Sequence, residues 1–170
     1  RDPEAIRTAF SLTPEYLRTA EEAVATNLMD YGVALGRRFR GLKLWFVLRY
    51  FGQDGIAERI REHVRLARLL ADRADADTAW ERVAPVPFST VVLRYAPDGM
   101  GEEAQDRLTE AIMERVNATG RAFLSHTKLR GRFCLRVSIG NLRTTEEHVL
   151  RVWRLLREAA AEVHPEGAGR

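Results

Sequence analysis

The run Leu35–Phe51, LGRRFRGLKLWFVLRYF, constrains this chain more than any other stretch. Arg37, Arg38, Arg40 and Lys43 crowd its first half. After Lys43 it becomes apolar almost all round: Leu44, Trp45, Phe46, Val47, Leu48, Tyr50 and Phe51 cannot share one side of a helix. A helix that is apolar on every side has to be buried by more than one neighbour. The run therefore predicts a helix over about 35–51, with Trp45 and Phe46 in a core or a dimer interface. Gly52 ends it. A second helix over about 55–74 follows, with Ile56, Ile60, Val64, Ala67, Leu70 and Ala71 on one stripe and Arg and Glu on the other.

From Thr78 the texture changes. TAWERVAPVPFSTVVLRYAP is β-branched and aromatic, with prolines at 85, 87 and 97, which fits two short strands or one interrupted edge strand. A helix over 102–119 places Leu108, Ile112 and Val116 at i+4 steps, and Gly120 sits just past its end. Strands are expected over Ala122–Thr127 and Arg132–Ile139. In the second, Phe133, Leu135, Val137 and Ile139 alternate with Arg132, Cys134, Arg136 and Ser138, the period of a half-buried antiparallel strand. Thr144 and Glu147 suggest a capping box for a last helix with Val149, Val152, Trp153, Leu156 and Val163 inward. The order β-α-β-β-α predicts a small α+β domain over 78–163, and residues 164–170 read as a disordered tail. Residues 1–34 show no sustained period, and Ser11–Ala34 reads as a long connection with a helical turn or two.

Composition removes several function classes. Of 170 residues, 45% are hydrophobic and 30% charged, so a packed core is expected. Lys and Arg exceed Asp and Glu by 27 to 24, a net charge of only +3. Glu58, Glu62, Asp72, Asp75 and Asp77 interrupt the positive charge of the arginine-rich helices, which argues against a nucleic-acid binder. The single Cys134 excludes an internal disulfide and reads as buried and inert, in a reducing, cytoplasmic setting. The histidines lack helical metal-ligand spacing, so no metal site is expected. No apolar run is long enough to span a membrane.

Two readings of LGRRFRGLK stand open on pattern alone. One is a solvated helix face paired with carboxylates. The other is an anion site, where a glycine at a helix start lets the backbone approach a phosphate. Arg136 reads as a surface ion-pair partner, with an approach to an active-site entrance as the alternative. His126 reads as a hydrogen-bonded residue at a strand end.

At this run the chain resembles the C-terminal part of the pyridoxal-phosphate-dependent aromatic L-amino-acid decarboxylases, the group II decarboxylase family. The residues that carry the resemblance are F-x-L-x-P-x-Y-L at Phe10–Leu17, N-L-M-D-Y at Asn27–Tyr31 and LGRRFRGLKLWFVLR at Leu35–Arg49. Y-F-G-x-x-G at Tyr50–Gly55, leading to I-R-x-H-V, and FCLRVSI-x-N-x-RTT at Phe133–Thr145 continue it in unbroken order to about residue 163.

The resemblance implies an α/β enzyme of fold type I. Residues 1–77 would be the end of the large cofactor-binding domain, with a mobile catalytic loop over about 11–34. Residues 78–163 would be the small C-terminal domain. The cofactor would be pyridoxal 5′-phosphate, its Schiff-base lysine lying in a missing N-terminal part, because neither Lys43 nor Lys128 stands in the family's lysine motif. The chain alone would then be inactive. The resemblance makes Tyr16 the loop's proton donor, which favours simple decarboxylation over formation of an aldehyde. It places Leu35 and Gly36 at the cofactor and substrate pocket of the neighbouring subunit, near the phosphate. Gly36 leaves room for a large ring. Expected partners are the missing N-terminal part, possibly as a separate chain, a second subunit of a homodimer, and an aromatic amino acid. The alternative is a free-standing α+β interaction or ligand-sensing module, whose apolar helix would be covered within one chain.

Overall fold

The computed structural model describes residues 2–11, 28–33 and 39–165. They fall in two compact units, Arg1–Tyr50 and Phe51–Arg170.

In the first unit, α1 spans Pro3–Phe10, a helix within the stretch 1–34 that shows no sustained period. Asp2 caps it by accepting from the Glu4 N–H at 3.0 Å, and Pro3 stands in its first turn, where a missing N–H costs nothing. A 3-10 turn covers Leu28–Tyr31. Helix α2, Gly41–Asp75, consists of two helical segments that meet in a kink at Gly52, whose φ of 66° and ψ of 176° are non-helical, so the helix break expected at Gly52 is present. It begins at Gly41, later than the expected 35. Phe39 and Arg40 are not helical, and residues 34–38 lie outside the described set.

The second unit is built on a four-stranded antiparallel sheet in the order β1-β2-β4-β3. The strands are β1 Trp80–Arg82, β2 Thr90–Tyr95, β3 Ser125–Leu129 and β4 Arg132–Ser138. Two helices, α3 Glu102–Ala118 and α4 Glu146–Val163, complete the unit. Thr78–Pro97 thus holds two strands, and the order from 78 is β-β-α-β-β-α where β-α-β-β-α was expected. The prolines at 85 and 87 fall between the strands, leaving β2 free to pair on both sides, with β1 and with β4.

The expected alternation in β4 fixes the register. Val91 lies opposite Val137 and Leu93 opposite Leu135, so one face of the sheet is apolar. Trp80, Val91, Leu93, Tyr95, Phe133, Leu135 and Val137 share one core with Leu66 and Leu70 of α2, Ile112 and Val116 of α3, and Trp153 and Leu156 of α4. The Trp80 ring meets Tyr95 and Trp153 edge-on, with centroids 5.3 and 5.5 Å apart, an arrangement that aromatic quadrupoles favour. The buried face of α2 is Leu66, Ala67, Leu70, Ala71 and Ala74, so the expected stripe is displaced along the helix: Ile60 is exposed and Ile56 and Val64 are half-buried.

Two end signals also differ from expectation. The cap of α4 is Thr145 with His148, one residue later than Thr144 with Glu147; the Thr145 N–H points to His148 Nδ1 at 3.1 Å. His164, read as the start of a disordered tail, caps α4 through its N–H to Ala160 O at 2.9 Å, and its Nδ1 lies 3.1 Å from the Tyr95 hydroxyl. Residues 166–170 are outside the described set.

Candidate functional site

Tyr16, Leu35 and Gly36, the residues expected to carry the chemistry, all lie outside the described residues. The residues that flank them in sequence are described.

Segment 12–27, which holds Tyr16, leaves from the end of α1 and returns at the 3-10 turn. At the exit, the Ser11 N–H donates to Arg7 O at 2.8 Å. At the return, Asp30 is only 8% exposed, the one buried residue among the described residues of its unit. Its Oδ2 lies 3.9 Å from Arg7 Nε. Arg7 also holds Glu4 Oε2 at 3.3 Å, which fixes its guanidinium on α1.

On the other flank of Leu35 and Gly36, the chain enters α2. An ideal Cβ on Gly41 would come within 3.3 Å of the Phe39 ring, so glycine lets that ring fold against the first turn. Beyond it the apolar run is left uncovered by the described residues. Leu44 is 59%, Trp45 53% and Phe46 58% exposed, so the described residues do not bury them as a core. The side chains contact one another instead: Trp45 meets Phe46 edge-on at 5.2 Å, and the Arg49 guanidinium sits 5.9 Å from the Trp45 ring centroid.

In the second unit, the sheet face opposite the core is polar. Arg136 of β4 stands between Val92 of β2 and Ser125 of β3, and is exposed. No ion pair to it forms among the described residues, so the expected surface salt bridge is absent there. Next along that face, the Thr90 and Ser138 hydroxyls lie 3.2 Å apart. His126 differs from expectation too. Its ring stacks on Phe133 at 4.9 Å and 11°, with no hydrogen bond to its side chain among the described residues.

One group on that face went unread in the sequence. Arg94 is 1% exposed, and its Nη2 donates to Asp106 Oδ1 at 2.6 Å and to Glu102 O at 2.8 Å. Only pairing makes such burial tolerable. Cys134 is fully buried as expected, and burial pushes its thiol above the ordinary value. Three of the five carboxylates that break up the positive charge are paired: Glu62 with Arg65, Asp75 with Arg82 and Asp77 with Arg157. Hydrogen bonding from Arg65 holds the Glu62 carboxyl below its ordinary range. No group of three metal-ligating side chains occurs among the described residues. No helix of the described residues is long and apolar enough to cross a membrane.

Lys43 stands in the first turn of α2 and Lys128 on the edge strand β3, and both are exposed.

The fold and sequence place the chain in a defined class. The conserved domain of pyridoxal-dependent decarboxylases matches residues 1–96, and the chain belongs to that family. Among its relatives, tryptophan decarboxylase 2 of Oryza sativa subsp. japonica is 38% identical over 165 residues, covering 96% of this chain and 33% of its own length. Tyrosine decarboxylase 2 of Arabidopsis thaliana is 37% identical, over 95% of this chain and 30% of its own. The crystal structure of Oryza sativa TDC with PLP and tryptamine superposes with a TM-score of 0.82 at 36% identity, covering 92% of this chain and 33% of that one. The chain therefore spans about a third of the length of the relatives it matches.

Proposed function

We propose that this chain forms the C-terminal third of a pyridoxal-phosphate-dependent decarboxylase that converts an aromatic L-amino acid to its amine and carbon dioxide. The observation that carries this reading is continuous similarity to tryptophan and tyrosine decarboxylases over nearly the whole chain. Residues 1–77 would close the cofactor-binding domain and 78–163 form the small domain. The remaining two thirds, in the same or a second polypeptide, would supply the lysine that bonds the cofactor.

The cofactor, when bound, supplies an electron sink for the pair left behind as carbon dioxide departs. The chain's own residues act around that event. Tyr16 donates its phenolic proton to the substrate carbon that has lost its carboxylate, and the phenolate recovers a proton from solvent. Leu35 and Gly36 line the pocket of the neighbouring subunit in a homodimer, where glycine leaves space for the ring. The exposed face of α2 from Leu42 to Tyr50 supports an assembly larger than this chain, since apolar patches of this kind mark surfaces covered by a partner.

A free-standing module is the second reading, favoured by the self-contained core of the Phe51–Arg170 unit. The uncovered apolar helix weighs against it. Carbon dioxide release by the complete enzyme from L-tryptophan, L-tyrosine and L-phenylalanine tests the reaction, and release from none of them removes it. Tyr16→Phe tests the proton donor. It should keep the cofactor's visible absorbance and shift product from amine toward aldehyde in air, with dioxygen as the oxidant.

A further inference from the structure

The two faces of the four-stranded sheet differ in what meets them. One shares the core with α2, α3 and α4. On the other, burial falls along the strands. Arg94 and Cys134 are 1% and 0% exposed towards one end, whereas Arg136 and Ser138 stand exposed at the other. At this open end Arg136 lies opposite Val92 and Ser125, and Ser138 opposite Thr90. Phe88 and Phe123, two positions before β2 and β3, flank the same end at 72% and 86% exposure.

Charge singles out this region as well. Stretch 115–145 carries seven Lys and Arg and no Asp or Glu, in a chain of net charge +3, so the rest of the chain is net negative. Arg115 is paired with Glu162 and Arg132 with Glu81, while Arg136 has no ion pair among the described residues. Arginine beside aromatic rings is the composition of contact surfaces between protein bodies. A body to make that contact is at hand, because the chain spans about a third of the length of the relatives it matches. A guanidinium covered by such a body needs a carboxylate opposite it.

We infer that the open end of this sheet face docks on a carboxylate-bearing segment of the remaining two thirds of the enzyme, with Arg136 as the anchor of the contact. The inference rests on the reading of this chain as the C-terminal third of a decarboxylase. Phe88 and Phe123 supply the apolar border that keeps water from the ion pair.

The test is made in the complete enzyme. Arg136→Lys keeps the charge and introduces an amine where this chain otherwise has only Lys43 and Lys128. A water-soluble carbodiimide couples an amine to a carboxylate in contact with it. It should join position 136 to an Asp or Glu of the remaining two thirds, identified by peptide mass spectrometry. Arg136→Glu should lower the thermal midpoint by about 5 °C, and reversing the linked carboxylate to lysine should restore most of that loss. Lys128→Glu, on the edge strand, should leave the midpoint unchanged. The docking is overturned by the absence of a link at position 136, by a link only within this chain or to a second copy of it, or by a charge swap that restores nothing. An equal fall in Lys128→Glu would also overturn it, in favour of a general effect of charge. Carbon dioxide release separates the two readings: release without the link removes the docking and leaves the decarboxylase, and release from no aromatic amino acid removes both.

Discussion

Asp106 Oδ1 accepts from Arg94 Nη2 at 2.6 Å and from the backbone N–H of Phe133 at 3.0 Å, so one carboxylate ties α3 to both β2 and β4. Arg94 is almost wholly buried, and its Nε has no hydrogen-bond partner. Removing Asp106 would leave a buried cation held only by the Glu102 carbonyl. Breaking a buried pair from one side costs roughly 3–5 kcal/mol, and partial exposure of Asp106 lowers the expectation to about 2–3 kcal/mol for Asp106→Ala. Urea denaturation checks this. Arg94→Met added to Asp106→Ala should recover part of the loss, because the unpaired charge is then gone; a further loss would mean that the guanidinium matters chiefly for packing.

Thr109 presents a neutral version of the same arrangement. Its hydroxyl is fully buried, accepts from the Tyr95 N–H at 3.1 Å and donates to Gln105 O at 2.7 Å. Thr109→Val keeps the volume and removes the acceptor, leaving a buried backbone donor unmet. The expected cost is about 1–3 kcal/mol with no change in cofactor-related behaviour. A thermal midpoint equal to the parent's would show that water replaces the hydroxyl.

Two raised pKa values bear on stability at alkaline pH. Burial pushes up the Cys134 thiol, and burial followed by the charge of Asp77 pushes up the Tyr95 hydroxyl. In each case the unfolded chain releases its proton at a lower pH than the folded one. The stabilisation is therefore complete below the ordinary values, about 8.5 for a thiol and 10 for a phenol, and is lost as pH rises through the folded-state values. Unfolding free energy should decline above about pH 8.5. At neutral pH a thiol reagent should leave the native chain unlabelled and modify its single cysteine once denaturant is added.

Sequence patterns revealed the small domain better than the site. The strict alternation of Phe133, Leu135, Val137 and Ile139 with polar neighbours sets the register of β4, and the i+4 steps of Leu108, Ile112 and Val116 set α3. Signals with one-residue resolution were harder: Thr144 and Thr145 are both competent caps, and His148 took the role that Glu147 could also fill. Helix α1 announces itself only through Asp2 and Pro3, because its eight residues are too few to show a period. The buried Arg94 was invisible because its partner lies across the sheet-helix layer and not along one element. Of the site, composition and spacing could offer only an anion-binding possibility at Leu35–Lys43. Tyr16 was singled out by the resemblance alone, since neither composition nor spacing marks a lone tyrosine.

Gly52 is where glycine is required. Its φ of 66° with ψ of 176° is a conformation essentially closed to other residues, and nothing lies within 4 Å of a Cβ placed there. Gly52→Ala therefore acts through backbone strain, not collision. The expected cost is about 1–3 kcal/mol, measurable as a lower thermal midpoint. If the midpoint instead rises, α2 has continued as an unbroken helix through position 52, and circular dichroism would register the gain in helix.

The exposed run of α2 makes the last prediction. Leu44, Trp45, Phe46, Val47, Leu48 and Tyr50 present apolar surface on several sides of one helix, far beyond the scattered exposure that a soluble surface carries. Kept apart from the rest of the enzyme, the chain should bind an apolar-surface dye such as ANS and elute in gel filtration ahead of a monomer. Trp45→Glu with Phe46→Lys should reduce both effects without altering the core of the Phe51–Arg170 unit, because neither residue belongs to it. In the complete enzyme the same pair of substitutions should weaken assembly, since there the charges would be buried against a partner surface without compensation. A parent chain that is monomeric and silent to the dye would mean that the helix is covered within one chain, and the free-standing module would become the better account.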